Sequence, residues 1–287
     1  MIPGSVQSAV SKHLNCKING FSAISGGCIN EGGKLSTSQG DFFIKWNNKE
    51  QFPHLFEKEK AGIKTLSETK TIYLPEVVCA GEAEEWQYLI LEFIVSTGHS
   101  KFFWKDLGRQ LAELHHHKNS HFGLSYNNYI GSVVQNNMYH LTWPQFFENQ
   151  RLRPLLKELE LANRVDAKFI ESFEQLYARL GEIFPEEQPC LLHGDLWSGN
   201  VISDKRGMAY VIDPAIYYGH REAELAFTRL FGGFEIDFYE SYEYHFPLEG
   251  GFDERMEVYH LYPLLVHAIL FGDSYLQPVK RIINHFS

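Results

Sequence analysis

At 287 residues, 44% of them hydrophobic and 22% charged, the chain is long enough for one large domain or two lobes and too apolar to be disordered. A net charge of −10 and a pI near 5.8 exclude a general nucleic-acid binder, which needs Lys and Arg for phosphate contacts, and no polybasic segment favours an anionic membrane. The opening MIPGSVQSAV lacks a basic n-region and an apolar h-region, so mature protein is expected there, and no run reaches the length of a membrane span. Cys16, Cys28, Cys79 and Cys190 are too widely spaced for a zinc pattern or a dense disulfide framework, which predicts reduced thiols and a cytoplasmic location.

In chain order, GFSAIS alternates like a short strand, and GGKLSTSQGDFFIKW reads as a hairpin turning at SQGD. PHLFEKEKAGIKTLSE sets Phe56, Ile63 and Leu66 on one helical face. LPEVVCAGEAEEWQYLILEFI predicts two more strands. After STGHS the period changes: Leu107, Leu111 and Leu114 mark an amphipathic helix in FFWKDLGRQLAELHHH. WPQFFENQRLRPLLKELELA and AKFIESFEQLYARLGEIF are predicted helices, the first with Pro144 near its start, where a missing N–H costs little. PCLLHGDLWSGNVISD and MAYVIDPAIYYG return to short strands and loops, and the last stretch, ERMEVYHLYPLLVHAILFGDSYLQPVKRIINHF, is mostly helical, with a bend expected at Pro263. The outline is α+β: a small antiparallel sheet with one key helix over residues 1–93, a connector over 94–99, and a larger helical lobe over 100–287. A ligand is expected between two such lobes.

The segment HGDLWSGN followed by VIDP carries chemistry suited to phosphoryl transfer. That reaction needs a carboxylate to orient a hydroxyl and take its proton, oxygen ligands for magnesium, a cation for the phosphates, and a cover over them. Asp195 is the candidate base. Asn200, five residues on, and Asp213, at the end of the apolar run AYVI, are candidate Mg2+ ligands, two side chains sufficing when phosphates and water supply the rest. Taken singly, Asp195 could be a turn residue and Asp213 a helix cap, but that leaves the upstream lobe unexplained. Lys45 lies in the apolar strand FFIKW and needs a partner. Glu57 and Glu59 are both candidates; Glu59, three residues after Phe56 and four before Ile63, has the inward helical phase. The glycine-rich segment with Gly26, Gly27, Cys28, Ile29 and Asn30 could cover phosphates with backbone N–H groups or be an ordinary hairpin turn; it is not a P-loop. Glu92, Phe93 and Ile94 offer backbone to an adenine ring, or simply form an edge strand.

The spacing of HGDLWSGN and VIDP resembles the catalytic and metal-binding loops of the protein-kinase-like superfamily, with Gly194 and Pro214 pointing toward small-molecule kinases of the aminoglycoside and choline type. SGGCINEG, FIKW, LGRQLAELH, FGLSYNNYIG, HGDLWSGN, IDPAIYYGHREAELAF and LYPLLVHAILFG together resemble the fructosamine kinase (ketosamine-3-kinase) family. The resemblance implies a two-lobed protein-kinase-like fold, ATP and Mg2+, and phosphorylation of the sugar 3-hydroxyl of a fructosamine, ribulosamine or erythrulosamine, free or on a protein amine, as a deglycation repair. His193 is expected to brace the loop, Trp197 to stack on sugar or pack, and Glu222 and Glu224 to meet the substrate amine or be paired at a helix start. Glu224 departs from the aspartate expected there. An aminoglycoside or choline kinase of the same fold, or a non-catalytic nucleotide-binding regulator, are the alternatives. HHHK at 115–118 reads as the polar end of a helix. Cys28 is either an inert thiol or a redox switch, and the chain a monomer or a redox-sensitive homodimer.

Overall fold

A computed structural model describes residues 1–24 and 30–286. In chain order the elements are α1 (Gly4–His13), β1 (Ile18–Ala23), β2 (Glu31–Thr37), β3 (Gly40–Asn48), α2 (Leu55–Thr69), β4 (Val77–Ala83), β5 (Trp86–Glu92), α3 (Phe103–His115), β6 (Asn128–Ile130), β7 (Val133–Gln135), α4 (Trp143–Phe146), α5 (Arg153–Leu161), α6 (Ala167–Ile183), β8 (Cys190–Leu192), β9 (Val201–Ser203), β10 (Ala209–Val211), β11 (Tyr217–Gly219), α7 (Arg221–Leu230), α8 (Ile236–His245), α9 (Phe252–Phe271) and α10 (Leu276–Phe286). They fall into two compact units, Met1–Phe103 with Gly199–Pro214, and Trp104–Ser198 with Ala215–Ser287. The second unit is therefore not the unbroken stretch that the sequence outline drew: the β9–β10 segment groups with the N-terminal residues.

The first unit is built on an antiparallel sheet in the order β1-β2-β3-β5-β4. Period-2 alternation gives it two different faces. Leu35, Ile44, Trp46, Tyr88 and Ile90 point to one side and are covered by Ile2, Val6 and Val10. Each of these aliphatic side chains contributes on the order of 1.5–3 kcal/mol by leaving water. The helix that carries two of them, α1, was not foreseen: only two of its positions are buried, too few to set a period. Lys45, between Ile44 and Trp46, points to the opposite face, toward α2. That helix buries Leu55, Phe56, Gly62, Ile63 and Leu66, the predicted stripe with two additions. β1 and β2 approach closely at Gly33, where a Cβ would lie 2.3 Å from the Ser22 carbonyl oxygen.

The same unit holds the β9–β10 hairpin. Val211 N–H donates to the Tyr73 carbonyl at 2.9 Å, and the Tyr73 and Tyr210 rings stack at 5.5 Å. The connector is tied to this hairpin: Thr97 Oγ1 donates to the Asp204 carbonyl at 2.7 Å, and Ser100 N–H to the Gly207 carbonyl at 3.0 Å.

The second unit is mainly helical around α9, whose buried residues lie on every side, as expected of a core helix. It runs from Phe252 to Phe271 as one helix with Pro263 inside it. The predicted helix WPQFFENQRLRPLLKELELA is divided: α4 and α5 are separated by a π-helical segment, Phe147–Leu152. The β6–β7 hairpin and α8 were not predicted. Both are short, and their burial depends on neighbours far along the chain. β8 pairs with β11 in the register Leu192↔Tyr217 and sets the start of the HGDLWSGN loop.

Candidate active site

Lys45 Nζ lies 2.6 Å from Glu59 Oε1 and 2.5 Å from Asp213 Oδ1. Strand alternation turns the lysine off the sealed face of the sheet, and helical phase turns Glu59 inward from α2. Glu57 is exposed and pairs with Lys60 of its own helix, at 3.7 Å. Burial alone would push the Lys45 ammonium down, but the Asp213 and Glu59 carboxylates outweigh it and hold its pKa above the usual lysine range. Burial raises the Glu59 carboxyl, with Lys45 opposing and Asp213 adding to the rise. One ammonium thus faces two carboxylates.

Asn200 and Asp213 are drawn together by the β9–β10 hairpin. Val201 pairs with Val211, and beyond that pair Ile212 N–H donates to the Asn200 carbonyl at 3.0 Å. Asp213 takes a left-handed backbone, φ 57°. Its carboxylate and the Asn200 amide offer hard oxygen donors on neighbouring chain positions, which suits magnesium better than a softer metal. Among the described residues there is no group of three His, Cys, Asp or Glu side chains placed to hold a metal on their own.

In the second unit, the loop after β8 makes a turn that only glycine can occupy. Gly194 has φ 85°, and a Cβ there would lie 2.0 Å from the Ala215 carbonyl oxygen. Ala215 N–H in turn donates to the His193 carbonyl at 2.9 Å. His193 is fully buried, and its Nδ1 accepts from the Asp195 N–H at 3.3 Å. Asp195 is half-buried, whereas Leu196 beside it is wholly enclosed and anchors the loop. Trp197 is also half-buried and meets the Phe231 ring edge-on at 6.2 Å.

Glu222 and Glu224 are both paired inside this unit, so neither carboxylate is exposed to meet a substrate amine. Glu222 forms a double hydrogen bond with Arg255, its Oε2 lying 2.7 Å from Nε, and accepts from Tyr259 Oη at 3.0 Å. Glu224 Oε1 accepts the Gly194 N–H at 2.6 Å, and Oε2 accepts the His193 N–H at 3.1 Å. His115 Nε2 lies 2.9 Å from the same Oε2. Burial would raise the Glu224 carboxyl, but the hydrogen bond from His115 and its other partners hold it below the usual range. His115 is therefore not part of a polar helix end: it is fully buried, whereas His116, His117 and Lys118 face solvent.

At the connector, the Glu92 N–H donates to the Glu76 carbonyl at 2.8 Å, so that group is not open to a base. Phe93 and Ile94 are half-buried, and Lys34 sits over the Phe93 ring at 5.1 Å. Gly26, Gly27, Cys28 and Ile29 lie outside the described residues, and with them the proposed switch at Cys28. Asn30 is described: its Oδ1 accepts from Asn47 Nδ2 at 2.7 Å. Asn47 was missed by sequence reasoning, although it stands two positions after Lys45 and so shares its face. Cys16, Cys79 and Cys190 are buried free thiols, with Cys79 pushed up to about 11 by burial.

The profile of the fructosamine kinase family matches residues 4–286. A chloroplastic protein-ribulosamine 3-kinase from Oryza sativa subsp. indica is 38% identical over 275 residues, covering 94% of this chain and 79% of that one. The solved structure of a candidate fructosamine-3-kinase from Thermobifida fusca superposes with a TM-score of 0.88 at 27% identity, covering 99% of this chain and 98% of that one. The aminoglycoside phosphotransferase APH(4)-Ia, solved as a complex with AMP-PNP and hygromycin B, superposes with a TM-score of 0.59 at 17% identity, over 98% of each chain. The last is a likeness of fold alone.

Proposed function

The chain belongs to the fructosamine kinase family, and on that premise we propose that it transfers the γ-phosphoryl group of ATP to the sugar 3-hydroxyl of a ketosamine, using Asp195 as base. It is an ATP-dependent phosphotransferase with an alcohol acceptor, of protein-kinase-like fold. Ribulosamines, free or carried on a protein amine, are the preferred acceptors in this reading, in keeping with the activity named for the rice relative. The observation that carries it is the Lys45 ammonium held at once by Glu59 and Asp213. A lysine so placed can bind a phosphate oxygen while Glu59 keeps it oriented.

Asp195 accepts the proton of the attacking hydroxyl as its oxygen bonds to the γ-phosphorus and the bond to the ADP oxygen breaks. Magnesium, when bound, would neutralise phosphate charge, and Asp213 and Asn200 would hold it. Gly194 and the buried Leu196 keep the Asp195 backbone in one conformation. No helix of the described residues is long and apolar enough to cross a membrane. A cytoplasmic location fits the buried reduced thiols.

The test is ADP release over a panel of acceptors. Ribulose-lysine and erythrulose-lysine should support turnover, and kanamycin and choline should not. Turnover with kanamycin but no ketosamine would overturn the reading. Asp195→Asn should bind ATP with magnesium nearly as the parent does, yet lose on the order of 10³-fold in kcat.

A further inference from the structure

We propose that His115, at the C-terminal end of α3, is a positioning residue for the phosphoryl-transfer loop: it fixes the Glu224 carboxylate that holds the His193 and Gly194 N–H groups, immediately before Asp195. The proposal rests on the kinase reading above and extends it to a residue that touches neither nucleotide nor acceptor.

His115 stands in the middle of a buried chain of hydrogen bonds. Its Nε2 lies 2.9 Å from Glu224 Oε2, and its Nδ1 lies 2.7 Å from Tyr242 Oη. A carboxylate only accepts, so Nε2 carries a hydrogen and donates it to Glu224. A neutral imidazole protonated at Nε2 leaves Nδ1 to accept the Tyr242 hydroxyl hydrogen. Glu224 also accepts from two backbone N–H groups of the loop. The acceptor-only carboxylate thus dictates the tautomer of His115.

The surroundings preserve that state. His115, Tyr242 and Glu224 are all buried. Burial lowers the imidazole's pKa, with Glu224 opposing and Arg221 and Lys118 adding to the fall, so the ring is neutral near pH 7. The neighbouring Cys190 thiol is raised by burial and is uncharged as well.

The third donor matters because Glu224 is a glutamate. Its side chain is one methylene longer than an aspartate's, which adds a torsion that two backbone N–H groups from adjacent residues do not fix. A donor on Oε2 from outside the loop removes that freedom. Without it, the carboxylate can swing away from His193 or Gly194, and the peptide preceding Asp195 loses its hold.

Kinetics and amide hydrogen exchange of His115→Phe and His115→Gln test this. The Phe variant should lower kcat by about tenfold or more with KM for ATP within about threefold, and exchange at the 193 and 194 amides should rise. The Gln variant offers an amide N–H to Glu224 and an oxygen to Tyr242, and it should recover most of both losses. The double variant His115→Phe/Glu224→Gln should be no worse than Glu224→Gln alone, because both act through one carboxylate. Equal damage in the Phe and Gln variants, additive losses, or unchanged exchange at 193 and 194 would each overturn the proposal. Should the Phe variant fail to fold, Tyr242→Phe removes only the hydroxyl that donates to His115 Nδ1. It should lower kcat several-fold at constant KM for ATP, and a parent-like kcat would sink the idea. A parent enzyme inactive on every ketosamine would defeat the functional reading instead, while exchange at 193 and 194 would still decide the role of His115.

Discussion

The two units handle buried charge in opposite ways. Around Lys45, one cation meets two carboxylates, and the Asp213 side chain remains 42% exposed although the lysine is nearly enclosed. Around Glu224, the carboxylate is 1% exposed and His115 not at all, and each hydrogen has one place to go. The first arrangement can trade partners, since water and incoming oxygens reach Asp213. The second is closed to solvent. Exchangeable charge therefore stands where phosphate and metal are expected, and locked charge stands where a loop must be held still.

Removing the exchangeable cation should have the largest effect. Lys45→Met leaves Glu59 buried without its ammonium, and kcat/KM for ATP should fall on the order of 10²-fold or more, read from ADP release. A loss under about threefold would show that the ion triad is structural only. The locked side is probed next by Gly194→Ala. Its Cβ would meet the Ala215 carbonyl at 2.0 Å, so unfolding in denaturant should show a loss of about 2 kcal/mol or more.

A smaller effect separates the two glutamates of α2. Glu59→Gln should cost about tenfold in kcat/KM for ATP, whereas Glu57→Gln, whose side chain is 57% exposed, should be within about twofold of the parent. The reverse order would mean that helical phase misassigned the lysine's partner. The mildest test is pH. The Glu224 carboxyl is held below its ordinary value of 4.5, so its contribution to stability is present above that value and lost as pH falls through the folded-state pKa. Stability measured by denaturant should consequently fall less steeply below about pH 4.5 in Glu224→Gln than in the parent. Parallel pH curves would show that this carboxylate is not held in its charged form.

Much of the Lys45 side could be read from local rules. Alternation put Lys45 opposite Ile44 and Trp46, and a 3.6-residue period chose Glu59 over Glu57. These rules work because a strand and a helix each impose a repeat that fixes where a side chain points. The Glu224 side was hidden for the converse reason. His115 and Glu224 are 109 residues apart, and Tyr242 is 127 from His115, so no repeat relates them. HHHK resembled a polar terminus until the tertiary fold covered its first histidine. The helix α1 was missed for a related cause: Val6 and Val10 mean little until a sheet face with Leu35, Ile44 and Trp46 lies over them.

By itself, then, the amino-acid order determined the α+β character, most of the strands and helices, the spacing of Asp195, Asn200 and Asp213, and the inward phase of Glu59, since all of these are set by short-range geometry along the backbone. Only the tertiary structure decided that Asp213 shares Lys45 with Glu59, that Glu222 and Glu224 are enclosed, and that His115 lies between Glu224 and Tyr242. Those outcomes depend on which distant groups exclude water from one another, and that is a property of packing in three dimensions.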